Sequence, residues 1–542
     1  LVVFLAVQVF TNNTGLTCLI SHIVLLSLAG INYFVYLFRG NEFIFSDLKS
    51  IQTGLSVAGN YEFVLDERAG YVILLSTLYI AFIRKLHVSF QKRIPMSIVC
   101  ISLAVLCCAY IGKHTQGVVT ETWEQKGSYR NGYILNFVLS IRDCFIAQPD
   151  GYSKEAVKEL EDQYSKETDT VAGETEKKPT IIVVMSESYA DLSVVGNFST
   201  NIDLTPFYDS LEENTIKGHA LSSVFGAKTP NSEWEFLTGN SMAFLPSGSV
   251  VYQQYITDTP TSLVSNLKNI GYTCVAMHPY YDTGWSRNIV YPNMGFDETH
   301  FIDDFDQTKI LRDYITDQEL YEKIVDRYES KKSNEDLFIM SISMQNHGGY
   351  TVEDRAGFEP TVKLGYDTEY PLAETYLSLA RESDSAFKEL LEYFEKVDEP
   401  TMIVMFGDHW PKIEEEFMAK LLGGNRQSLG LVESQQSYTT PYVIWTNYPS
   451  ETVEEDFSAN YLGSYMLQLA GLEMPGYNQF LMNLKEQLPI IGVGAVCDKD
   501  GNWYANDALP DDYKKLMTDY NILEYNNQFE KKDVIESLFT LK

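Results

Sequence analysis

The chain of 542 residues is longer than one ordinary soluble domain requires. Its formal net charge of −33 excludes the basic face that phosphate backbones need, so we expect no nucleic acid among its partners. The seven cysteines include no Cys-x-x-Cys pair, which argues against a zinc ribbon and a disulfide framework. Nearly all acidic residues follow residue 113, a distribution typical of an apolar membrane anchor joined to an acidic water-soluble domain.

Residues 1–113 are predicted to form membrane-spanning helices. The uncharged apolar runs at residues 20–37 and 95–112 are each about long enough to cross the core of a bilayer as a helix. A shorter run at residues 70–83 is marginal by itself, and residues 1–10 resemble the end of a truncated span. These runs lie close together with few polar residues between them, which favours membrane helices over the alternative of buried helices in a large soluble protein.

The loop between the last two predicted spans indicates the orientation. It carries four basic residues, Arg84, Lys85, Lys92 and Arg93. The positive-inside rule places such a loop in the cytoplasm. We therefore expect a multi-pass protein of the cell membrane whose chain after the last span is extracytoplasmic.

Residues 114–178 are predicted to connect the membrane part to the soluble part. The run R-N-G-Y-I-L-N-F-V-L-S-I-R-D predicts an amphipathic juxtamembrane helix, Pro149-Asp150-Gly151 a turn, and the sequence from Ser153 a further helix. The charged residues 165–177 predict a flexible linker.

From residue 179 the sequence alternates between short β-branched runs and helical patterns. This alternation predicts an α/β domain over residues 179–542, with a mostly parallel sheet flanked by helices. The predicted strands are residues 180–185, 272–277, 337–343, 401–406 and 441–445. The predicted helices are residues 261–270, 372–397 and 462–469. In such sheets active sites form beyond the carboxyl ends of the strands, so the residues that follow each strand are the first candidates.

Two of these strand ends carry candidate metal ligands. Glu187 follows strand 180–185, where a carboxylate either faces a ligand or belongs to a helix N-terminus, and this stretch alone favours neither interpretation. Asp408 and His409 follow strand 401–406 after a glycine. A carboxylate beside an imidazole can offer two ligands to one hard or borderline cation, so metal ligation is favoured.

Two other strand ends carry candidate substrate-binding residues. His347 precedes two glycines, which allow the backbone to approach a ligand closely, but a core or surface histidine is an equal alternative. After strand 272–277 come Trp285 and Arg287, a planar ring and a guanidinium that suit a phosphate or carboxylate. Considered alone, a loop with this sequence is more often one whose aromatic residues only pack against their neighbours and bind no ligand.

Thr229 lies in F-G-A-K-T-P-N-S-E-W, which by itself predicts a turn followed by a helix N-cap. Its combination with the strand-end residues changes that interpretation. Together, one Thr, one carboxylate, an Asp-His pair, a His-Gly-Gly and a Trp-x-Arg in one α/β domain are the residues expected of phosphoryl transfer through a covalent intermediate. The metal would lower the pKa of the Thr229 hydroxyl, and His347 and Arg287 would stabilise the remaining charge.

With these motifs the chain resembles the lipoteichoic acid synthases and related phosphoglycerol transferases, membrane members of the alkaline phosphatase/sulfatase superfamily. The resemblance covers nearly the whole chain, including R-G-N-E-F-I-F-S-D-L, Q-P-D-G-Y-S, A-K-T-P-N-S-E-W-E-F, G-W-S-R-N and Q-N-H-G-G-Y. It implies an alkaline phosphatase-like fold behind an N-terminal bundle of typically five membrane helices. Because only about three spans and a remnant are visible and the chain begins at Leu1, we expect a sequence truncated at its start.

The resemblance also implies the site, residue by residue. The ligands of a single divalent metal, usually Mn²⁺ with Mg²⁺ or Zn²⁺ as alternatives, would be Glu187, Thr229, Asp408 and His409. The catalytic residues would be the nucleophile Thr229 and His347. The pocket for the phosphoglycerol group would be lined by Trp285, Arg287, His347, His278 and Asp282. Pro230 departs from the family pattern, in which Ser is commoner, and this puts the loop geometry in doubt but not the hydroxyl.

The implied reaction has two displacements. Thr229 attacks the phosphorus of phosphatidylglycerol and releases diacylglycerol. A glycerol hydroxyl, from a glycolipid or a growing polyglycerophosphate, then attacks the phosphothreonine. Such an enzyme would work at the lipid bilayer of a Gram-positive-type bacterium.

Three alternatives stay open. A phosphoethanolamine transferase shares the fold and the Thr nucleophile, although such enzymes tend to have more zinc ligands and often disulfides. A metal-dependent phosphodiesterase would release glycerophosphate to water, and a membrane-anchored scaffold would keep the fold without activity. Sulfate ester hydrolysis is disfavoured, because Thr229-Pro230-Asn231 lacks the modifiable Cys or Ser and the Arg of the sulfatase motif.

Overall fold

The computed structural model describes residues 1–39, 42–51, 64–86, 88–115, 118, 128, 131–142, 145–164, 177–246, 248–256, 260–351, 357–425 and 428–541. The chain divides into two compact units. The first comprises residues 1–43, 62–121 and 127–138, and the second comprises residues 44–61, 122–126 and 139–542. Residues 145–164, predicted as part of a connecting segment, therefore belong to the second unit.

Apolar helices dominate the first unit. The described helices that begin in it are α1 Val2–Thr11, α2 Thr14–Arg39, α3 Glu67–Ile83, α4 Arg93–His114 and α5 Tyr133–Leu139. Among the described residues, two segments are long and apolar enough to cross a membrane, Thr14–Phe38 with a mean hydropathy of 1.9 and Arg93–His114 with 2.4. They contain the predicted spans 20–37 and 95–112. The multi-pass topology and its orientation stay predictions.

A nine-stranded sheet forms the centre of the second unit. The strands of this unit are β1 Thr180–Ser186, β2 Thr215–Leu221, β3 Tyr272–Met277, β4 Glu298–His300, β5 Ile310–Leu311, β6 Tyr314–Ile315, β7 Asp336–Ile342, β8 Thr401–Gly407, β9 Thr439–Thr446, β10 Val453–Glu454, β11 Phe457–Ser458, β12 Ile490–Ile491, β13 Ala495–Cys497 and β14 Trp503–Ala505. The order in the central sheet is β10-β2-β9-β8-β1-β7-β3-β4, with β11 beside β2. Strands β8, β1, β7, β3 and β4 are parallel to one another, whereas β9 is antiparallel to both neighbours.

The predicted mostly parallel sheet is confirmed, and the differences have simple causes. Strand β9 covers the predicted strand 441–445 but runs in the opposite direction, which a buried apolar run does not reveal. Strand β2 was not predicted, because T-I-K-G-H-A-L has polar residues at its centre, where burial is only partial. The small sheet β12-β13-β14 and the hairpin β5-β6 have strands of two or three residues, too short to give a periodic signal.

Helices cover both faces of the sheet. They are α6 Lys154–Tyr164, α7 Pro206–Ser210, α8 Thr229–Thr238, α9 Val251–Gln254, α10 Leu263–Asn269, α11 Arg287–Met294, α12 Asp317–Glu329, α13 Pro371–Phe394, α14 Glu415–Leu421, α15 Leu431–Gln436, α16 Leu462–Leu469, α17 Gly476–Gln487, α18 Asp511–Gln528 and α19 Glu536–Phe539. The three predicted helices correspond to α10, α13 and α16, and the helix predicted from Ser153 is α6. Of the predicted linker at residues 165–177, residues 165–176 lie outside the described part of the chain.

The register of the parallel strands brings several loops to one edge of the sheet. Ser186 at the end of β1 lies opposite Gly407 at the end of β8, and Met277 of β3 lies opposite Ser341 of β7. A Cβ atom on Gly407 would lie 1.8 Å from the carbonyl oxygen of Tyr189, so only glycine fits this position. The chain after each of these strands therefore reaches the same edge.

Two buried glutamates, one on α8 and one on α18, accept hydrogen bonds from neighbouring residues of the segment that follows α8. Glu235 accepts hydrogen bonds from the backbone N–H of Met242 at 2.8 Å and from the Ser223 hydroxyl at 2.7 Å, and Glu524 accepts one from the N–H of Ser241 at 2.7 Å. Burial raises the pKa of Glu235 to about 7. Burial also raises the pKa of Glu524 well above its usual range, and the charge of Glu235 raises it further.

These raised pKa values predict a protein that loses stability as the pH rises. When the pKa of a carboxyl is higher in the folded than in the unfolded protein, its contribution to the free energy of unfolding is fully present at a pH below the unfolded pKa. This contribution is lost as the pH rises through the folded pKa, which is about 7 for Glu235. For Glu235 the loss is on the order of 3 kcal/mol. The Glu524→Gln variant keeps an acceptor for Ser241 and cannot become charged. Its thermal unfolding midpoint, measured on the full chain in detergent, should exceed that of the wild type at pH 8 and differ less at pH 5.

The control for this prediction is Glu382→Gln on α13, whose side chain is exposed. It should follow the wild-type pH dependence. If Glu524→Gln shows the same change in midpoint between pH 5 and pH 8 as the wild type, Glu524 is not the origin of the effect.

Candidate active site

Thr229 is the first residue of α8 and lies at the sheet edge. Lys228 before it has a left-handed backbone with φ of 75°, and Pro230 supplies the fixed φ suited to a first helical turn. The Thr229 hydroxyl donates a hydrogen bond to Oε2 of Glu187 at 3.2 Å, and the residue is only 6% exposed. The predicted helix start is therefore present, with Lys228 as the capping residue and Thr229 inside the helix.

Two side chains fix the loop around Thr229. The Lys228 ammonium donates to the carbonyl of Gly248 at 2.7 Å. The Asn231 side chain donates to the carbonyl of Ser249 at 2.9 Å and accepts from the backbone N–H of Val251 at 3.1 Å. These hydrogen bonds attach the start of α8 to the segment before α9. They hold the loop in place with Pro230 in the first turn of the helix.

Glu187, Asp408 and His409 form a cluster of buried ligand atoms. One atom from each lies within 4.8 Å of the others, and none of the three residues is more than 3% exposed. His409 Nε2 is 3.3 Å from Asp408 Oδ2 and 3.7 Å from Glu187 Oε1. His409 Nδ1 lies 3.0 Å from the carbonyl oxygen of Trp410, so a proton on Nδ1 leaves the Nε2 lone pair towards the carboxylates.

The donor set fits a divalent cation. Asp408 Oδ1 accepts the backbone N–H groups of Ser188 and His409, both at 2.7 Å, but Oδ2 is buried without a hydrogen-bond partner among the described residues. Burial and the nearby charge of Glu187 raise the pKa of Asp408 above its usual range. A cation would satisfy Oδ2 and offset both charges, and two carboxylates with one imidazole are ligands that several divalent metals accept.

The backbone of this cluster is tied to the elements around it. The Asp408 carbonyl accepts hydrogen bonds from the hydroxyls of Ser222 at 2.6 Å and of Ser232 on α8 at 2.7 Å. The backbone N–H of Glu187 donates to the Ser343 hydroxyl at 3.1 Å. The ends of β1, β7 and β8 and the first turn of α8 are therefore held together by buried hydrogen bonds.

His347 lies beside the cluster on the loop after β7. Its ring Nδ1 is 2.9 Å from the Tyr314 hydroxyl, and the side chain is partly exposed. Burial lowers the pKa of His347, and the Arg312 guanidinium lowers it further, while the Glu187 carboxylate opposes the shift. The ring is therefore neutral near pH 7 and lies within electrostatic range of the candidate metal ligands.

Arg287 and His278 lie in a buried polar chain one helical turn along α8 from Thr229. Arg287 donates from Nη2 to Oε2 of Glu233 at 2.9 Å, and its Nη1 is 3.1 Å from His278 Nε2. His278 Nδ1 lies 3.1 Å from the carbonyl of Ile342. Burial, and next the charge of Arg287, lower the pKa of His278 well below its usual range.

The remaining predicted pocket residues lie on the loop before α11. Trp285 is half-buried and has a left-handed φ of 53°, whereas Asp282 is exposed and its backbone carbonyl accepts the N–H of Asn288 at 2.9 Å. The structure thus brings together Glu187, Thr229, Asp408 and His409 and places His347 beside them. It shows no described contact between the Asp282 side chain and this group.

Sequence reasoning missed three residues of this region: Glu233, Arg312 and Tyr314. Glu233 could have been found, because it is four residues after Thr229 and so lies on the same helix face. Arg312 and Tyr314 lie in the short hairpin β5-β6, and nothing in the local sequence indicates that this hairpin reaches His347.

The sulfatase family model matches residues 179–472, more than half of the chain, and the chain belongs to that family. Its fold is the alkaline phosphatase-like fold. A Rhizobium meliloti protein assigned provisionally to cyclic beta-1,2-glucan modification is 28% identical over 436 residues, which are 78% of this chain and 65% of the relative. The chain therefore spans less than two thirds of the length of that relative.

Two solved structures show the same fold. One is the Streptococcus pyogenes phosphoglycerol transferase GacH in complex with sn-glycerol-1-phosphate, with a TM-score of 0.60 and 19% identity over 73% of this chain and 100% of that one. The other is the Listeria monocytogenes lipoteichoic acid synthase LtaP, with a TM-score of 0.51 and 20% identity over 68% of this chain and 96% of that one. The resemblance to the phosphoglycerol transferase group is thereby confirmed at the level of fold.

The clustered ligands predict a single divalent metal site. In metal-stripped full-length protein, calorimetric titration with Mn²⁺ should show one binding event per chain. The Asp408→Asn variant should bind at least about 100-fold more weakly, because the charge of Oδ2 is lost and a ligand must be deprotonated. Glu382→Gln, an exposed carboxylate on α13, is the matched control and should bind like the wild type. Equal affinity in Asp408→Asn and in the control would contradict the assignment.

Proposed function

We propose that this chain is a membrane-anchored phosphoglycerol transferase that moves glycerophosphate from phosphatidylglycerol to a hydroxyl acceptor through a phosphothreonine at Thr229. One observation carries the proposal: the Thr229 hydroxyl lies 3.2 Å from Glu187 at the start of a fully buried helix, beside the candidate metal ligands. An activated hydroxyl at the positive end of a helix dipole suits attack on a phosphodiester.

In the first displacement, Thr229 Oγ1 forms a bond to phosphorus, and the bond from phosphorus to the diacylglycerol oxygen breaks. Glu187 accepts the hydrogen bond of the hydroxyl and orients it before attack. The hydroxyl proton of Thr229 is released to solvent as the new bond forms, and the diacylglycerol oxygen takes up a proton from solvent water. The neutral imidazole of His347 can donate a hydrogen bond that stabilises the charge on the leaving oxygen. A divalent metal, with Mn²⁺ as first candidate and Mg²⁺ or Zn²⁺ as alternatives, would supply a lower hydroxyl pKa and offset phosphate charge when bound.

In the second displacement, an acceptor hydroxyl attacks the same phosphorus from the side opposite Thr229, and the bond to Thr229 Oγ1 breaks. The acceptor releases its proton to solvent, and Oγ1 takes one up from solvent, which restores the hydroxyl. The N–H groups in the first turn of α8 favour the phosphate in both steps. Arg287 contributes through its buried chain with Glu233 and His278, while Trp285 offers a half-buried ring for the glycerol moiety.

Different observations support the proposed glycerophosphate donor and the proposed acceptor. GacH, which shares the fold, binds sn-glycerol-1-phosphate in its solved complex, and this supports a glycerophosphate donor over a phosphoethanolamine donor. A glycerol hydroxyl of a glycolipid or polyglycerophosphate is the acceptor that the resemblance to lipoteichoic acid synthases implies, and LtaP, a synthase of that kind, shares the fold. The relative assigned to cyclic beta-1,2-glucan modification favours a second candidate, a sugar hydroxyl of a glycan. The two apolar helices suit work at a lipid bilayer.

Replacement of Thr229 tests the nucleophile. Full-length protein in mixed micelles of phosphatidylglycerol with Mn²⁺ should release diacylglycerol. Thr229→Ala should lower this rate by about 10⁴-fold or more, because the attacking oxygen is lost, and Thr229→Ser should keep much of it. Glu382→Gln should match the wild type. Wild-type turnover in Thr229→Ala would contradict the mechanism.

Replacement of the lipid tests the donor. With phosphatidylethanolamine in place of phosphatidylglycerol, the same protein should release little diacylglycerol, because the proposed site binds a glycerophosphate group and not phosphoethanolamine. Equal or faster release from phosphatidylethanolamine would favour the phosphoethanolamine alternative. Free glycerophosphate as the main product, with hydroxyl acceptors present, would favour the hydrolase.

A further inference from the structure

The hairpin β5-β6 lies outside the central sheet and reaches the active site through His347. Ile310 pairs with Ile315 and Leu311 with Tyr314, which leaves Arg312 and Asp313 as a two-residue turn. Arg312 has a φ of 57°, a left-handed conformation that is unfavourable for a residue with a β-carbon. Two-residue hairpin turns call for a positive φ at this position, so the turn sets the conformation and the contacts of Arg312 offset its cost for a residue with a side chain.

Those contacts join Arg312 to the backbone of the His347 loop. Its Nη1 donates to the carbonyl of Gly349 at 2.8 Å, and its Nη2 donates to the carbonyls of Gln345 at 2.9 Å and of His347 at 2.7 Å. The guanidinium also lies over the rings of Tyr314 and Tyr350, at 5.3 and 5.5 Å from their centroids. The guanidinium of Arg312 is planar and always charged, so its hydrogen bonds hold three carbonyls of one short loop at fixed positions.

Tyr314, on the other strand of the hairpin, reaches the His347 ring itself. Its hydroxyl is 2.9 Å from Nδ1, and the two ring centroids are 5.2 Å apart. In a neutral imidazole only one of the two nitrogens carries a proton. A hydroxyl that donates to Nδ1 leaves the proton on Nε2, the ring nitrogen that remains for a reacting group.

We propose that the hairpin Ile310–Ile315 is the positioning element of His347, in which Arg312 fixes its loop and Tyr314 fixes its tautomer, so that Nε2–H is the donor towards the transferred phosphate or the leaving oxygen. Both are positioning residues, since they act through His347. The role of the donor rests on the proposed function, whereas the tautomer is a property of the chain alone.

The first test is spectroscopic and requires no turnover. Full-length protein with ¹⁵N-labelled histidine contains eight histidines, and His347→Gln assigns the signals of His347 by their loss. The protein is loaded with Mg²⁺, because paramagnetic Mn²⁺ would broaden the signals. At pH 7 the wild type should show a protonated Nε2 and an unprotonated Nδ1 in solid-state NMR. In Tyr314→Phe the two signals should move towards averaged positions. Wild-type His347 signals in Tyr314→Phe overturn the proposal, whatever the activity of the variant.

The second test is kinetic. Tyr314→Phe and Arg312→Lys should each lower kcat for diacylglycerol release by about 10-fold or more with KM changed less than about twofold, because a donor is misplaced and binding is kept. Asp313→Asn, an exposed residue of the same turn, is the control and should keep wild-type kinetics. Unchanged kcat in both Tyr314→Phe and Arg312→Lys overturns the proposal, and so does a loss that Asp313→Asn shares.

The two tests separate this inference from the proposed function. If the wild type shows no glycerophosphate transfer, the proposed function fails while the NMR comparison still tests the tautomer. If the wild type transfers glycerophosphate and Tyr314→Phe keeps the wild-type tautomer, the proposed function stands and the positioning role is wrong.

Discussion

The burial of two carboxylates side by side is the constraint on which the rest of the site depends. Glu187 and Asp408 are both removed from water, and their ligand atoms lie with that of His409 within 4.8 Å of one another. Like charges at such a distance in a medium of low polarity oppose each other strongly, so the arrangement requires a proton or a cation. His409 Nε2 faces the same two carboxylates. Two carboxylates and one imidazole nitrogen together suit a metal cation better than a proton.

The sheet explains how this arrangement is maintained. Strands β1 and β8 are neighbouring parallel strands at the centre of the sheet, and both are buried along their whole length. The loops that carry Glu187 and Asp408 therefore start from rigid positions, and the closeness of Gly407 to Tyr189 leaves no room for displacement. The hydroxyl of Ser232 attaches α8 to the Asp408 carbonyl. A bond that fixes the ligand loop thus also fixes the helix that carries Thr229, so the nucleophile is placed by the same framework as the metal ligands.

The sequence predicted those parts of the site that follow continuous apolar strands. Glu187 and the Asp408-His409 pair come directly after runs whose burial is evident from their β-branched residues, and the strand-end rule for parallel sheets located them. The start of a helix at Thr229 was predicted from Pro230 and the polar residues around it. Two of the N-terminal apolar runs likewise predicted the segments that, in the described part of the chain, are long enough to span a membrane.

Other parts could not be predicted, because they depend on contacts between residues distant in sequence. Arg287 was expected to face substrate, but its partner Glu233 becomes evident only when α8 and α11 pack together. Arg312 meets the His347 loop 35 residues later in the chain, through backbone carbonyls that no sequence pattern marks. The reversed direction of β9 also depends on tertiary pairing. Local sequence thus identifies ligands at strand ends, whereas the residues that orient them belong to tertiary structure.

The central claim is that glycerophosphate passes through Thr229, and peptide mass spectrometry tests it most directly. Full-length protein is incubated with Mn²⁺ and phosphatidylglycerol without an added acceptor, quenched in acid and digested. The account predicts a glycerophosphoryl group on the peptide that contains Thr229, absent from Thr229→Ala and discharged when an acceptor is added before quenching. Sustained diacylglycerol release with an unmodified Thr229, or with the group on another residue, would contradict it.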